Sequence, residues 1–237
     1  MIRVLILAAG DGTRWRNYRN TPKHLAEVEG EILLERTCRQ FLQYTSDVIV
    51  VGTDDRYAVD STTLYVPQQS KPRWQDMAKF WSSHEKWSPH RTVLAFGDVY
   101  YTDEAVKTIM TNTDEWHCFL RKGPSSITGC EWREIFAFAF NGTQNQRFRE
   151  KISKIISKKT APSGGGWQLF RELVWDTHNY LFDNPYYTNI DDWTEDFDFP
   201  EDLSRWTFRR KSASRRSSSS RSSIIRTAEK SNFESES

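Results

Sequence analysis

The stretch from Leu7 to Leu25, LAAGDGTRWRNYRNTPKHL, gathers residue types suited to one kind of chemistry. Gly10 and Gly12 permit left-handed backbone and let peptide N–H groups approach a ligand closely, where a Cβ would intrude. Successive N–H groups in such a turn form an anion-binding concavity. Thr13 adds a hydroxyl, Arg14 a forked cation and Lys23 a point charge. Few targets other than a polyphosphate need all of these. The loop is not a Walker loop, because no Gly-Lys-Ser/Thr closes it, and it lacks the third glycine of a dinucleotide fingerprint.

The elements that must position this loop are read from apolar periodicity. Ile2 to Leu7 is a short strand leading into it, and residues 31 to 44 read as a helix through Leu34, Cys38, Phe41 and Leu42. Strands follow at Val48–Gly52 and Thr63–Val66, then a helical pattern from Gln75 with Met77, Phe80, Trp81 and Trp87 on one side. A buried strand, Thr92–Phe96, comes next. Cys118–Leu120 and Ile135–Phe140 are further strands, the second apolar throughout and therefore expected to be central. Phe148, Ile152, Ile155 and Ile156 mark one more helix, and the run Gly164–Gly166 opens another. That run is read either as a ligand contact or as a hinge. The alternation predicts βαβ units and an α/β fold: a three-layer, Rossmann-like, mostly parallel sheet.

Ligands bind outside the carboxyl ends of the strands in such sheets. Asp98, which follows Gly97 at the end of the Thr92–Phe96 strand, is then expected on the same rim as the glycine loop. Magnesium takes carboxylate and phosphate oxygens and usually only one or two protein carboxylates, so Asp98 reads as a Mg²⁺ ligand. The competing reading is a helix cap, for which Thr102 or Asp103 stands closer to the next helix. Between Leu120 and Ile135, RKGPSSITGCEWRE is a long polar loop, with Lys122, Trp132 and Arg133 as candidates for shaping an acceptor pocket. Gln68 and Gln69 are candidate base contacts.

LAAGDGTRW, PKHL and VEGEILLER, over residues 7 to 36, resemble the signature of nucleotidyltransferases that make nucleotide-activated sugars and related phosphate esters, of the MobA-like type. The resemblance implies a GT-A-like nucleotide-diphospho-sugar transferase fold and transfer of a nucleoside monophosphate to a phosphate monoester with release of pyrophosphate. It implies that Leu7, Ala8, Ala9, Gly10, Gly12, Thr13, Arg14 and Lys23 hold a nucleoside triphosphate, with Arg14 and Lys23 catalytic. An aspartate after a glycine at the Asp98 position agrees with it. Near the end, Phe197 and Phe199 alternate with Asp196 and Asp198 as in a strand, Pro200 then starts a helix, and DFDFPEDL is similar to the closing motif of small members. On that alignment Asp198 is the second metal ligand and Asp196 the fallback.

Composition bounds the reading. The chain has 237 residues, 37% hydrophobic and 14% aromatic, enough for one domain with a full core. The formal charge of +1 hides a split. From Thr207 onward lie 8 of the 33 Lys/Arg and 3 of the 32 Asp/Glu, which leaves residues 1–206 at −4. Residues 207–237, rich in serine and arginine, are expected to be a disordered basic tail that could contact nucleic acid nonspecifically or carry phosphoserine, and 1–206 to be the catalytic domain. Three scattered cysteines fit a reduced compartment, and no apolar run approaches the ~20 residues of a membrane span, so a soluble, cytoplasmic chain is expected. The five histidines show no i, i+4 pair, against a zinc site. Two rival classes stand beside this reading. A glycosyltransferase of the same architecture commonly carries Asp-x-Asp at the metal, whereas Val99-Tyr100 follow Asp98; a non-catalytic nucleotide- or nucleic-acid-binding protein would not need Arg14, Lys23 and Asp98 together.

Overall fold

A computed structural model describes residues 1–10, 12–67, 75–158, 165–175 and 184–214. Gln68 and Gln69, Gly164 and the chain after 214 lie outside them. The chain begins with strand β1 (Ile2–Leu7), and a hairpin of β2 (Glu27–Val28) and β3 (Glu31–Ile32) leads to helix α1 (Leu33–Leu42) and β4 (Val48–Val51). Next come β5 (Thr63–Tyr65), α2 (Gln75–Ser83), β6 (Arg91–Phe96), β7 (Val99–Tyr100), α3 (Asp103–Thr111), β8 (Trp116–Arg121) and β9 (Glu134–Asn141). Helices α4 (Asn145–Lys158) and α5 (Gly165–Val174), strands β10 (Tyr187–Asn189) and β11 (Glu195–Asp196), and a helix over 200–214, here α6, complete it.

Seven strands form one sheet in the order β10-β8-β9-β6-β1-β4-β5. β1 runs parallel to β4 and to β6, and β4 parallel to β5. β9 alone opposes its neighbours, antiparallel to β6 and β8. Its uninterrupted apolar run, buried from Ile135 to Phe140, suits a strand covered on both faces. Helices α2, α4 and α5 pack on one another over one face, and α1 with α3 on the other. The expected three-layer α/β architecture is what the chain forms.

Three local expectations need correction. The segment 31–44 is not helical from its start. Glu29 and Gly30, both with positive φ, turn a two-residue hairpin between β2 and β3, and the helix begins only at Leu33. The strand expected across Asp196–Phe199 is limited to Glu195–Asp196, because its partner β7 offers only Val99 and Tyr100. The third correction concerns the boundary at Thr207. Helix α6 runs through residue 214, since its inner face has something to bury against. Trp206 is fully buried in a second core with Trp15, Val28, Leu33, Tyr100 and Phe197. Arg210 lies 5.0 Å above the Trp193 ring and donates to Glu29 at 3.2 Å.

This second core predicts a specific sensitivity. Trp206→Ala opens a cavity where a fully buried indole stood, so urea unfolding should register a loss of about 3–5 kcal/mol. Phe208→Ser, two residues on at a side chain 71% exposed, should change the midpoint little. Equal effects in the two variants would refute the assignment of α6 to the domain.

Candidate active site

β1 and β6 pair in parallel with Leu7 opposite Phe96, so their ends deliver the glycine loop and Asp98 side by side. Gly97 donates its N–H to the Leu7 carbonyl at 3.0 Å. A Cβ at Gly97 would stand 3.2 Å from that oxygen and 3.3 Å from the His24 ring, which is why the approach needs glycine. Gly12, at φ +57°, starts the short turn Thr13–Trp15. Trp15 is buried and its indole N–H donates to Thr21 O at 2.9 Å, which folds the loop back toward Pro22 and Lys23.

The third contributor arrives from the far end of the chain. β11 pairs antiparallel with β7, Asp196 opposite Val99, and the Phe197 N–H donates to the Asp98 carbonyl at 3.2 Å. With Phe197 turned into the second core, Asp196 and Asp198 face Asp98. One oxygen from each of the three carboxylates lies within 4.8 Å of the others. Lys23, 9% exposed at its side chain, forms ion pairs with Asp98 and, at 3.3 Å, with Asp198 Oδ1. Arg14 pairs with Asp198 from the other side.

Electrostatics follow from this crowding. Burial works against the Lys23 charge, but Asp98, Asp196 and Asp198 together raise its pKa above the ordinary lysine value. Burial likewise opposes ionisation of Asp98, yet Lys23, Lys79 and His24 hold its carboxyl below the usual range. Asp196 goes the opposite way: burial, then the charges of Asp198 and Asp98, push it well up. His24, fully enclosed and 3.3 Å from the Tyr57 hydroxyl, is lowered to about 4, mainly by burial. Glu134 is raised to about 7 by burial and by Asp198.

These groups line a cleft of about 650 Å³. It is lined by Leu7, Gly10, Gly12, Thr13, Arg14 and Lys23 from the first part of the chain. Trp132, Arg133, Glu134, Gly165, Gly166 and Trp167 line it from later parts. Most expected site residues therefore come together. Ala8 and Ala9 do not line the cleft, and the Ala8 N–H is already committed to Val51 O at 2.8 Å. Lys122 is not on the cleft wall either; its N–H is held by Asn189 Oδ1 at 2.7 Å. The cap reading of Asp98 is replaced, since Thr102 Oγ1 accepts from Ala105 N at 3.0 Å and caps α3. Sequence reasoning missed Glu134, Lys79 and Arg171, which sit on ordinary elements with no motif to mark them. Asp196 entered only as a fallback, yet it stands within the cluster.

A buried scaffold holds the cleft's far wall. Arg121 pairs with Glu195, whose carboxylate also accepts from the Ser125 and Thr128 hydroxyls. The same guanidinium donates to Gly123 O at 3.1 Å and Trp132 O at 3.2 Å, so both ends of loop 122–133 are tied to one side chain.

The donor set fits a hard divalent cation. Three carboxylates converge, and one Asp196 oxygen is buried without a hydrogen-bond partner among the described residues.

Glu134 supplies a pH test of the cleft's electrostatics. Its folded pKa of about 7 exceeds the ordinary carboxylate value, so the folded state binds the extra proton and stability falls as pH rises between roughly 4.5 and 7. In chelator-treated protein, the fall in urea midpoint from pH 5 to pH 7 should be smaller in Glu134→Gln than in wild type, the contributions of Asp196 and His24 being common to both. An identical pH slope in both proteins would contradict the assignment.

Comparison with known proteins agrees with this geometry. Residues 4–119 match the MobA-like NTP transferase domain. No curated protein sequence matches the chain. The structure is similar to a CTP:phosphocholine cytidylyltransferase from Streptococcus pneumoniae (TM-score 0.57, 13% identity, covering 87% of this chain and 97% of that one). It is similar to a 2-C-methyl-D-erythritol 4-phosphate cytidylyltransferase from Thermus thermophilus (0.57, 14%, 88% and 98%). A putative glucose-1-phosphate thymidylyltransferase from Bacillus anthracis is also similar (0.54, 16%, 87% and 94%). At such identities the likeness is one of fold. The Rossmann-like, GT-A-like fold is common to all, and no helix among the described residues is long and apolar enough to cross a membrane.

Proposed function

We propose that the protein transfers a nucleoside monophosphate from a nucleoside triphosphate to a phosphate monoester, a sugar 1-phosphate or similar small ester, releasing pyrophosphate. The observation that carries this reading is Lys23. A buried ammonium between Asp98 and Asp198, beside a glycine turn, is the charge arrangement that two approaching phosphates need. An oxygen of the acceptor phosphate bonds to the α-phosphorus, the bond from that phosphorus to the bridging oxygen breaks, and its electron pair leaves with pyrophosphate. No covalent enzyme intermediate is required.

Catalysis of such a transfer is mostly positioning and charge stabilisation. Backbone N–H groups around Gly10 to Thr13 and the Arg14 fork hold the leaving pyrophosphate. Lys23 neutralises the α-phosphate as two anions are brought together. Asp98 and Asp198 would hold Mg²⁺, with Asp196 beside them, and the ion would supply positive charge to the phosphate oxygens. Arg121 and Glu195 act at a distance, fixing β11 and the loop that carries Trp132.

The test is pyrophosphate release from four nucleoside triphosphates against a panel of phosphate esters, at varied magnesium. Asp98→Ala and Asp198→Ala should each lower turnover by on the order of 10²-fold or more, and the double variant should be little worse, because groups acting as a unit are not additive. Arg14→Lys keeps the charge but loses the fork, so triphosphate KM should rise. Normal magnesium dependence in Asp198→Ala would transfer the ligand role to Asp196. Normal turnover in Asp98→Ala would overturn the mechanism.

A further inference from the structure

Three of the cleft's cations, Arg14, Lys23 and Lys79, follow one another from Asp198 to Asp98. Among the three carboxylates Arg14 pairs with Asp198, at the glycine-loop end. Lys23 stands in the middle, paired with both Asp198 and Asp98. Lys79, on α2, lines the same cleft, and its charge acts on Asp98. Its ammonium rests 4.0 Å above the Phe96 ring centroid, and it forms no ion pair with any described residue. Phe96 in turn packs against Gly166 at the start of α5, so Lys79 belongs to the half of the cleft that carries Gly165, Gly166 and Trp167.

In-line displacement puts the attacking and leaving oxygens on opposite sides of the reacting phosphorus. If pyrophosphate departs at the Arg14 end and the α-phosphate lies at Lys23, the attacking phosphate must enter from beyond Asp98. We propose that Lys79 binds the phosphate of the acceptor, holding it between Phe96 and Asp98 for attack. This rests on the nucleotidyltransferase reading and deepens it: the acceptor presents a dianionic phosphate monoester to Lys79, and the rest of the acceptor extends along Trp132 and Trp167. An ammonium seated on an aromatic face keeps its donors free for the incoming oxygens, and the ring holds it in place without a competing carboxylate.

The experiment uses the full chain with the triphosphate and ester that give the highest pyrophosphate release. Lys79→Met preserves the length and the apolar contact with Phe96 but removes the charge. Acceptor KM should rise roughly 10- to 100-fold, the value of one charge-assisted hydrogen bond, while triphosphate KM stays within about twofold. Lys79→Arg should recover most of the loss. The unchanged triphosphate KM also reports that the variant is folded. A Lys79→Met enzyme whose acceptor KM matches wild type, or whose triphosphate KM rises instead, overturns the assignment of Lys79 alone. Wild-type protein that releases no pyrophosphate with any pair overturns the nucleotidyltransferase reading and this one with it.

Discussion

Three carboxylates whose oxygens lie within 4.8 Å of one another are the constraint on which this fold turns. Two unit charges at 4 Å repel by about 1 kcal/mol in water and about 4 kcal/mol at the effective dielectric of a protein site. Asp98, Asp196 and Asp198 remain together because Lys23 and Arg14 are inserted among them and because Asp196 is pushed toward its neutral form. The same excess of negative charge that a cation relieves is what a metal with its phosphates would use. The Lys23 ammonium, which balances these charges, is the same side chain on which the proposed transfer relies.

Holding that arrangement requires structure from both ends of the chain. Phe197 is fully buried between two residues that face the cleft, and it locks the direction of each. The aromatic cluster around it joins Trp15 of the opening loop, Tyr100 of β7 and Trp206 of α6. The Tyr100 and Trp206 rings meet at a tilt of 51° with centroids 4.4 Å apart, and the Trp206 indole donates to Trp193 O at 3.1 Å. Helix α6 is thereby part of the site's foundation and not a start of the tail.

The opening loop also stores backbone strain. Arg16, Asn17, Arg19 and Asn20 all adopt positive φ close to Gly12. Such conformations cost a non-glycine residue on the order of 1 kcal/mol each and persist where surrounding contacts over-determine them. Here the anchors are the buried Trp15 indole and the turn that closes at Thr21. The strain keeps the segment between the glycine turn and Lys23 short and compact, so that the fork of Arg14 and the ammonium of Lys23 reach the same carboxylate from two directions.

From the sequence by itself came the layer architecture and the half of the cleft built on the glycine loop. Periodicity of 2 and 3.6 marks strands and helices without tertiary knowledge, and Gly10, Gly12, Arg14, Lys23 and Asp98 announce themselves because their chemistry is local or lies at the end of an apolar strand. Tertiary structure alone decided the rest. Ala8 reads as part of the loop but belongs to the sheet, because its N–H faces β4. Glu31 and Ile32 read as the start of a helix but form the second strand of a hairpin. Lys79, Glu134 and the third carboxylate, Asp196, face the cleft because β7 happens to pair with β11 and α2 to pack beside α5. Pairings between segments about a hundred residues apart leave no periodic trace in either partner. Which charges share a cleft is settled only when the chain closes on itself and the cost of burying each is set by its neighbours.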